Sequence, residues 1–306
     1  MQSIHNGIWP TMLTPFTETG AIDYSGVGDL LRFYAERQVD GVFALCQSSE
    51  MFYLSLQERQ ELLCFICEHR YAGMQLIASG HVADSLDRQI EEAQSLLRQE
   101  LAAYVVLPNR FAAANESDEV LLERLDRFVQ AVPDIPLGIY ECPYPYKRLV
   151  TPQILDYCLQ SGRFIFLKDT SCDLEQIRQK LAMIKGTSFK LFNANSATLL
   201  ESLRLGANGY CGVMANIHPE FYVWLYRHYA AAPVWAEQVQ QFIGAASMAE
   251  YQYYPVNAKY SLSLQGVQLG INSRTKDPSG FSTSQRLEMQ QLTELSRQAR
   301  GWLGLS

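Results

Sequence analysis

Lys168 is the residue whose position says most about chemistry. The chain has lysines at 147, 168, 180, 185, 190, 259 and 276, and only Lys168 closes a strongly apolar run, Phe164-Ile165-Phe166-Leu167-Lys168. A strand's period of two puts Phe164, Phe166 and Lys168 on one face. Desolvation disfavours an ammonium, so an amine in apolar surroundings shifts toward its neutral form. A neutral amine attacks a ketone and forms a Schiff base. The competing reading is a strand-end lysine paired with Asp169 or Glu141. Tyr140 closes a second apolar run, Leu137-Gly138-Ile139-Tyr140. A phenol beside a Schiff-base lysine can shuttle protons to the carbinolamine and the departing group; otherwise its ring simply fills space. A third segment, Cys46-Gln47-Ser48-Ser49-Glu50, offers hydroxyls and backbone N–H groups that suit a carboxylate, or forms an ordinary polar turn.

Regular elements must position these groups. Apolar, β-branched and aromatic runs over residues 8–16, 41–46, 75–80, 102–108, 137–142, 164–168, 189–193 and 209–215 read as buried parallel strands. Helical patterns separate them, over 24–37, 55–70, 84–99, 118–129, 152–159, 173–184, 197–205 and 219–228. Ser55-Leu56-Gln57-Glu58 has the form of a capping box, and Thr151-Pro152 that of a helix start. Strict alternation predicts an α/β fold, a (β/α)8 TIM barrel over residues 1–232, with a C-terminal helical extension, 233–306, packed on it. A doubly wound sheet would want a glycine-rich loop after its first strand, but Thr14-Pro15-Phe16-Thr17 stands there. In such a barrel the site lies at the carboxyl ends of the strands, where Lys168, Tyr140 and Ser48 all fall, and the neighbouring fifth and sixth strands let Tyr140 face Lys168.

Composition agrees. Of 306 residues, 48% are hydrophobic and 19% charged, the balance of a folded domain. The net charge of −7 and the lack of a basic stripe argue against nucleic acid as a partner. No long apolar stretch predicts a membrane span, and the start MQSIHNGIWP lacks a signal-peptide pattern. Seven scattered cysteines suit reduced thiols and a cytoplasmic location. Cys46, Cys142, Cys172 and Cys211 fall at or just past strand ends without paired-ligand spacing, so no metal site is expected. Cys64 and Cys67 read as helix packing, and His81 ends the third strand, facing the pocket or serving structure.

In this order the segments resemble the dihydrodipicolinate synthase / N-acetylneuraminate lyase family over nearly the whole chain. Gly7-Ile8-Trp9-Pro10-Thr11 is similar to its opening strand, Gly41 to Glu50 to its G-[ST]-T-G-E region, and Tyr140-Glu141-Cys142-Pro143 to its Y-N-x-P. Lys168-Asp169-Thr170-Ser171 resembles its Schiff-base strand, and Pro255-Val256-Asn257-Ala258-Lys259 its C-terminal motif. The resemblance implies a class I aldolase acting on pyruvate and larger 2-oxo acids through a covalent imine, with no metal or organic cofactor, often as a homo-oligomer (dimer or tetramer). Lys168 would form the imine and Tyr140 relay protons. Ser48 and Ser49 would hold the carboxylate, with Gln47 at the first hydroxyl position. Cys211 would offer a backbone carbonyl, and Thr170 a hydroxyl toward the substrate chain.

The departures point away from the two founding activities. Cys46 and Ser49 replace glycines, which predicts a loop with less backbone freedom. Arg110 stands where synthases carry a relay tyrosine, and Pro145 where they carry an arginine for the second substrate. Asn193-Ala194-Asn195-Ser196 replaces the lyases' Gly-x-Asp-Glu. The expected activity is therefore a Schiff-base lyase forming or cleaving a C–C bond in a 2-oxo acid, with pyruvate as the enamine half. Arg110, Lys147 and Arg148 are candidates for an acidic tail or solvated surface charges. The alternatives are a synthase-like condensing enzyme and a non-catalytic barrel that binds a 2-oxo acid.

Overall fold

The computed structural model describes residues 3–304 except residue 98. Eight parallel strands form one sheet: β1 (Gly7–Ile8), β2 (Gly41–Ala44), β3 (Gln75–Ala78), β4 (Ala103–Val106), β5 (Leu137–Tyr140), β6 (Phe164–Asp169), β7 (Lys190–Asn193) and β8 (Gly209–Tyr210). Neighbours run β1-β8-β7-β6-β5-β4-β3-β2. The last seam closes through a single Thr11–Phe43 bridge, with Met12 N–H donating to Phe43 O at 2.9 Å and Phe43 N–H to Pro10 O at 3.0 Å. The fold is thus the expected (β/α)8 barrel.

The strands are shorter than the apolar runs, most of all at β1 and β8. Pro10 and Pro15 have no N–H to give a ladder. After Tyr210 the chain makes one more bond, Cys211 N–H to Asn193 O, and then turns into a 3-10 helix over Val213–Asn216.

Helices α1 (Tyr24–Glu36), α2 (Leu56–His69), α3 (Leu86–Leu96), α4 (Asp118–Ala131), α5 (Pro152–Gln160), α6 (Leu174–Ile184), α7 (Leu199–Arg204) and α8 (Pro219–His228) alternate with the strands. Ser55 and Glu58 complete the capping box of α2, and Thr151 Oγ1 accepts from Ile154 N–H at the start of α5. α7 starts later than its pattern suggests, because Asn195 Oδ1 accepts from Thr198 N–H and holds the chain in a turn.

Alternation along each strand sorts the core into two layers. Phe43, Ile77, Val105, Tyr140, Phe166 and Phe192 pack inside the barrel, whereas Val42, Leu76, Tyr104, Ile139, Leu167 and Leu191 face the helices. Gly138 serves this packing, since a Cβ there would lie 2.2 Å from the Phe166 ring.

Beyond the barrel run α9 (Pro233–Ala246), α10 (Val256–Leu264) and α11 (Thr283–Leu303). α9 lies on α7 and α8, and α10 pairs with α11. A 3-10 turn over Ser247–Tyr251 and the 272–276 loop lead the extension back to the barrel mouth.

Candidate active site

A cavity of about 520 Å³ opens at the carboxyl ends of the strands. Tyr140 and Lys168 are direct register partners on β5 and β6, and both line it. They are almost fully buried. The Lys168 amine lies 4.0 Å from the Tyr140 ring centroid and 5.3 Å from that of Phe43, and forms no ion pair among the described residues. Burial pushes the Tyr140 phenol well above its ordinary range, so this hydroxyl keeps its proton and can donate it.

The carboxylates next in sequence serve another lysine. Glu141 Oε1 and Asp169 Oδ2 bind the Lys180 ammonium of α6 at 2.6 and 2.5 Å. Glu141 Oε2 also accepts from Thr170 N–H, and Asp169 Oδ1 from Ser171 N–H and Oγ–H. Burial opposes the charge on Lys180, but Glu141 and Asp169 outweigh it and hold the ammonium above its usual range. The pairing of Lys168 with Asp169 or Glu141 is therefore not what forms.

The β2 turn is shaped by its own bonds. Ser49 N–H donates to Cys46 O, Glu50 N–H to Gln47 O, and Ser49 Oγ to Met12 O at 2.6 Å. Ser49 thus scaffolds the turn and is not a cavity wall, whereas Ser48 and Gln47 are. Ser48 Oγ donates to Thr11 Oγ1 at 3.0 Å. Neither position that lost a glycine is in the left-handed region. Positive φ falls on Leu45 (48°) and Glu50 (58°), not on Cys46 or Ser49. Glu50 is fixed by Lys259 Nζ at 2.9 Å and by Ser273 Oγ, Arg274 N–H and Thr275 N–H. The C-terminal motif lysine therefore ties the extension to the β2 turn.

The other candidates divide. Thr170 lines the cavity, its hydroxyl donating to Glu141 O at 2.7 Å. Lys147 lines it with its amine on Thr170 O. Arg110 is elsewhere: its guanidinium binds Val82 O, Ala83 O and Asp84 beyond β3. Arg148 is held by Asp118, Ala113 O and Glu116 O. Cys211 packs inside the barrel beneath the site, burial pushing its thiol up to about 12, and its neighbours Gly212 and Val213 form the wall. Cys142 is buried likewise, while Cys172 is an exposed wall residue. The described residues contain no cluster of three metal-ligating side chains. His81 does not reach the pocket. It is buried against Phe111 and Phe128, accepts from Leu107 N–H at 2.8 Å, and burial lowers it to about 3.

Three features escaped the sequence reading. Lys180 sits between Ile177 and Ile184 on the buried face of α6, and a lysine within an apolar stripe was the available signal. Tyr254 and Glu250 enter the cavity from the extension. Glu250 is the only charged residue between Glu237 and Lys259. Burial pushes its carboxyl up to about 7, against the pull of Lys168.

Fold and site together define an aldolase-type (β/α)8 barrel organised around a strand-end lysine. The sequence matches the Dihydrodipicolinate synthetase family over residues 5–294, and the chain belongs to that family. It is 27% identical over 209 residues to the 4-hydroxy-tetrahydrodipicolinate synthase of Clostridium perfringens, covering 68% of this chain and 70% of the relative. The same-named enzyme of Thermosipho melanesiensis is 25% identical over 253 residues, covering 82% and 81%. Among solved structures, a sialic acid aldolase of Ruminococcus gnavus, a catalytic lysine mutant, superposes with a TM-score of 0.88 at 18% identity, covering 98% and 99%. YagE, a prophage protein of the family from E. coli K12 in complex with pyruvate, gives 0.86 at 19% identity, covering 96% and 99%. Enzymes of this family are carbon–carbon lyases that work through a lysine Schiff base without an external cofactor, and the chain is of that enzyme type.

Proposed function

We propose that the chain is a Schiff-base lyase that cleaves or forms a C–C bond in a 2-oxo acid, with pyruvate as the enamine half. The carrying observation is the buried Lys168 amine, in no ion pair among the described residues, over the Tyr140 ring in an open cavity. The Lys168 amine adds to the C2 carbonyl, and loss of water from the carbinolamine gives the imine. Tyr140 donates and recovers the protons of that step. In cleavage the C4 hydroxyl gives up its proton through the Tyr140 relay, the C3–C4 electron pair moves into the imine, an aldehyde departs, and an enamine of pyruvate remains, with that proton then available for C3. Protonation at C3 and addition of water release pyruvate and restore the amine. The Ser48 hydroxyl and the Gln47 and Ser48 N–H groups, which the turn's own bonds leave open, receive the substrate carboxylate, and the Gln47 and Thr170 side chains border it.

The test is borohydride reduction in the presence of pyruvate, with the adduct located by peptide mass. One adduct on Lys168 is expected; no adduct would favour a non-catalytic binder. A second reading, condensation of the synthase type, draws on the names of the relatives. Efficient turnover of aspartate semialdehyde would establish it. We further propose a cytoplasmic homo-oligomer, dimer or tetramer, working as barrel (1–232) plus helical extension (233–306). The described helices include none long and apolar enough to cross a membrane. Exposed Val234, Trp235 and Trp302 on the extension supply apolar surface for a second copy, and sedimentation measures the assembly.

A further inference from the structure

Resting on the lyase reading, we infer that Glu250 selects the aldehyde half of the substrate, binding a hydroxyl or ammonium donor and turning away a second carboxylate. Glu250 stands in the 3-10 turn Ser247–Tyr251, anchored by buried Ala246 and Ala249. It shares the cavity with Lys168, and its Oε1 is buried without a hydrogen-bond partner.

The other carboxylates near this end of the barrel are engaged. Glu50 has Lys259, Glu141 and Asp169 share Lys180, and Glu92 has Arg59. A buried acceptor left open costs about 1–3 kcal/mol, so an orphan at a cavity wall marks a place where a ligand supplies the donor. Once ionised, above about pH 7, this carboxylate accepts only, which sets the complementary chemistry as O–H or N–H.

No arginine lines the cavity. Arg110 and Arg148 are spent on loop carbonyls and carboxylates, and Lys147 is on Thr170 O. Lys168 would be consumed by the imine. Among the described residues two lysines without a carboxylate partner remain at the wall, Lys147 with its amine on Thr170 O and Lys276 over the Tyr253 ring at 4.7 Å. A hydroxylated or amino aldehyde finds in Glu250 Oε1 an acceptor that no described residue engages, whereas a second carboxylate would meet the like charge of ionised Glu250.

The experiment measures kcat/KM for condensation of pyruvate with glyceraldehyde, propanal and succinic semialdehyde, in wild type, Glu250→Gln and Glu250→Asp. Wild type should prefer glyceraldehyde to propanal by about tenfold or more, the worth of one hydrogen bond to a charged group. Glu250→Gln should collapse that ratio by about tenfold and raise succinic semialdehyde by a similar factor; Glu250→Asp should keep the wild-type order. Equal loss on all three aldehydes, or no change in the ratios, overturns the assignment, as does a wild type that condenses none of them. Borohydride trapping on the same proteins separates the two claims. A wild type that traps pyruvate but shows no Glu250-dependent selection loses only this inference, whereas one that traps none loses the lyase reading as well.

Discussion

The two faces of β5 and β6 handle their lysines in opposite ways. Facing inward, Lys168 rests on Tyr140 with no ion pair among the described residues; facing outward, Lys180 is clasped by Glu141 and Asp169. The residues alternate along the same strands: Tyr140 then Glu141, Lys168 then Asp169. Period-two geometry thus sends the reactive pair into the cavity and its acidic neighbours away from it. The outer triad neutralises the charges that would otherwise capture the inner amine. It also pins the backbone beside both site residues, since Glu141 takes the Thr170 and Val150 N–H groups. Two carboxylates hold Lys180 as an ammonium, whereas no described carboxylate ties down Lys168.

Breaking the outer side should have the largest effect on stability. Lys180→Met leaves Glu141 and Asp169 buried and opposed, and should cost about 3–5 kcal/mol in urea unfolding. Adding Glu141→Gln and Asp169→Asn should recover part of that loss. If the single variant unfolds like wild type, the triad does not hold the strand ends. Breaking the inner side should instead show in rate. Tyr140→Phe should lower kcat by about 10²–10⁴-fold, the range for a lost proton-transfer group, while its unfolding midpoint stays near wild type. A smaller effect is expected at the β2 turn. Ser48→Ala should raise the KM for pyruvate about tenfold, the worth of one hydrogen bond to a charged group, and Ser49→Ala should act on stability instead.

Glu250 supplies the smallest and most pH-dependent contrast. Its folded pKa, about 7 through burial and only partly offset by Lys168, lies above that of an unfolded carboxylate. The native state therefore holds this proton more tightly. The associated stability is present in acid and is lost as pH rises through the folded value. Glu250→Gln removes that dependence, so its stability advantage over wild type should grow from about pH 5 to about pH 7.5 in thermal unfolding. A constant difference across that range would mean that Glu250 is not held protonated by the fold.

Much of this was legible in the residues. The apolar run ending in Lys168 and the one ending in Tyr140 are buried strands whose inward faces follow from alternation alone. Capping at Ser55 and Thr151 is local chemistry and appears where the pattern places it. What was not legible depends on contacts far apart in sequence. The partner of Glu141 and Asp169 lies on α6, and Glu50 is held from the extension by Lys259 and the 273–275 loop. His81 and Arg110 sit at strand ends in sequence, yet neighbouring loops and aromatic rings take them first. Strand length at β1 was overestimated because apolar character does not reveal where prolines end a ladder.

The central claim is that of two buried lysines on adjacent elements only the unpaired one is chemically competent. Incubation with pyruvate and borohydride, followed by peptide mass mapping of wild type, Lys168→Ala and the Lys180→Met, Glu141→Gln, Asp169→Asn variant, tests it directly. The account predicts a single reduced pyruvate on Lys168 in wild type and in the triad variant, and none in Lys168→Ala. An adduct on Lys180, or one that survives Lys168→Ala, would contradict it.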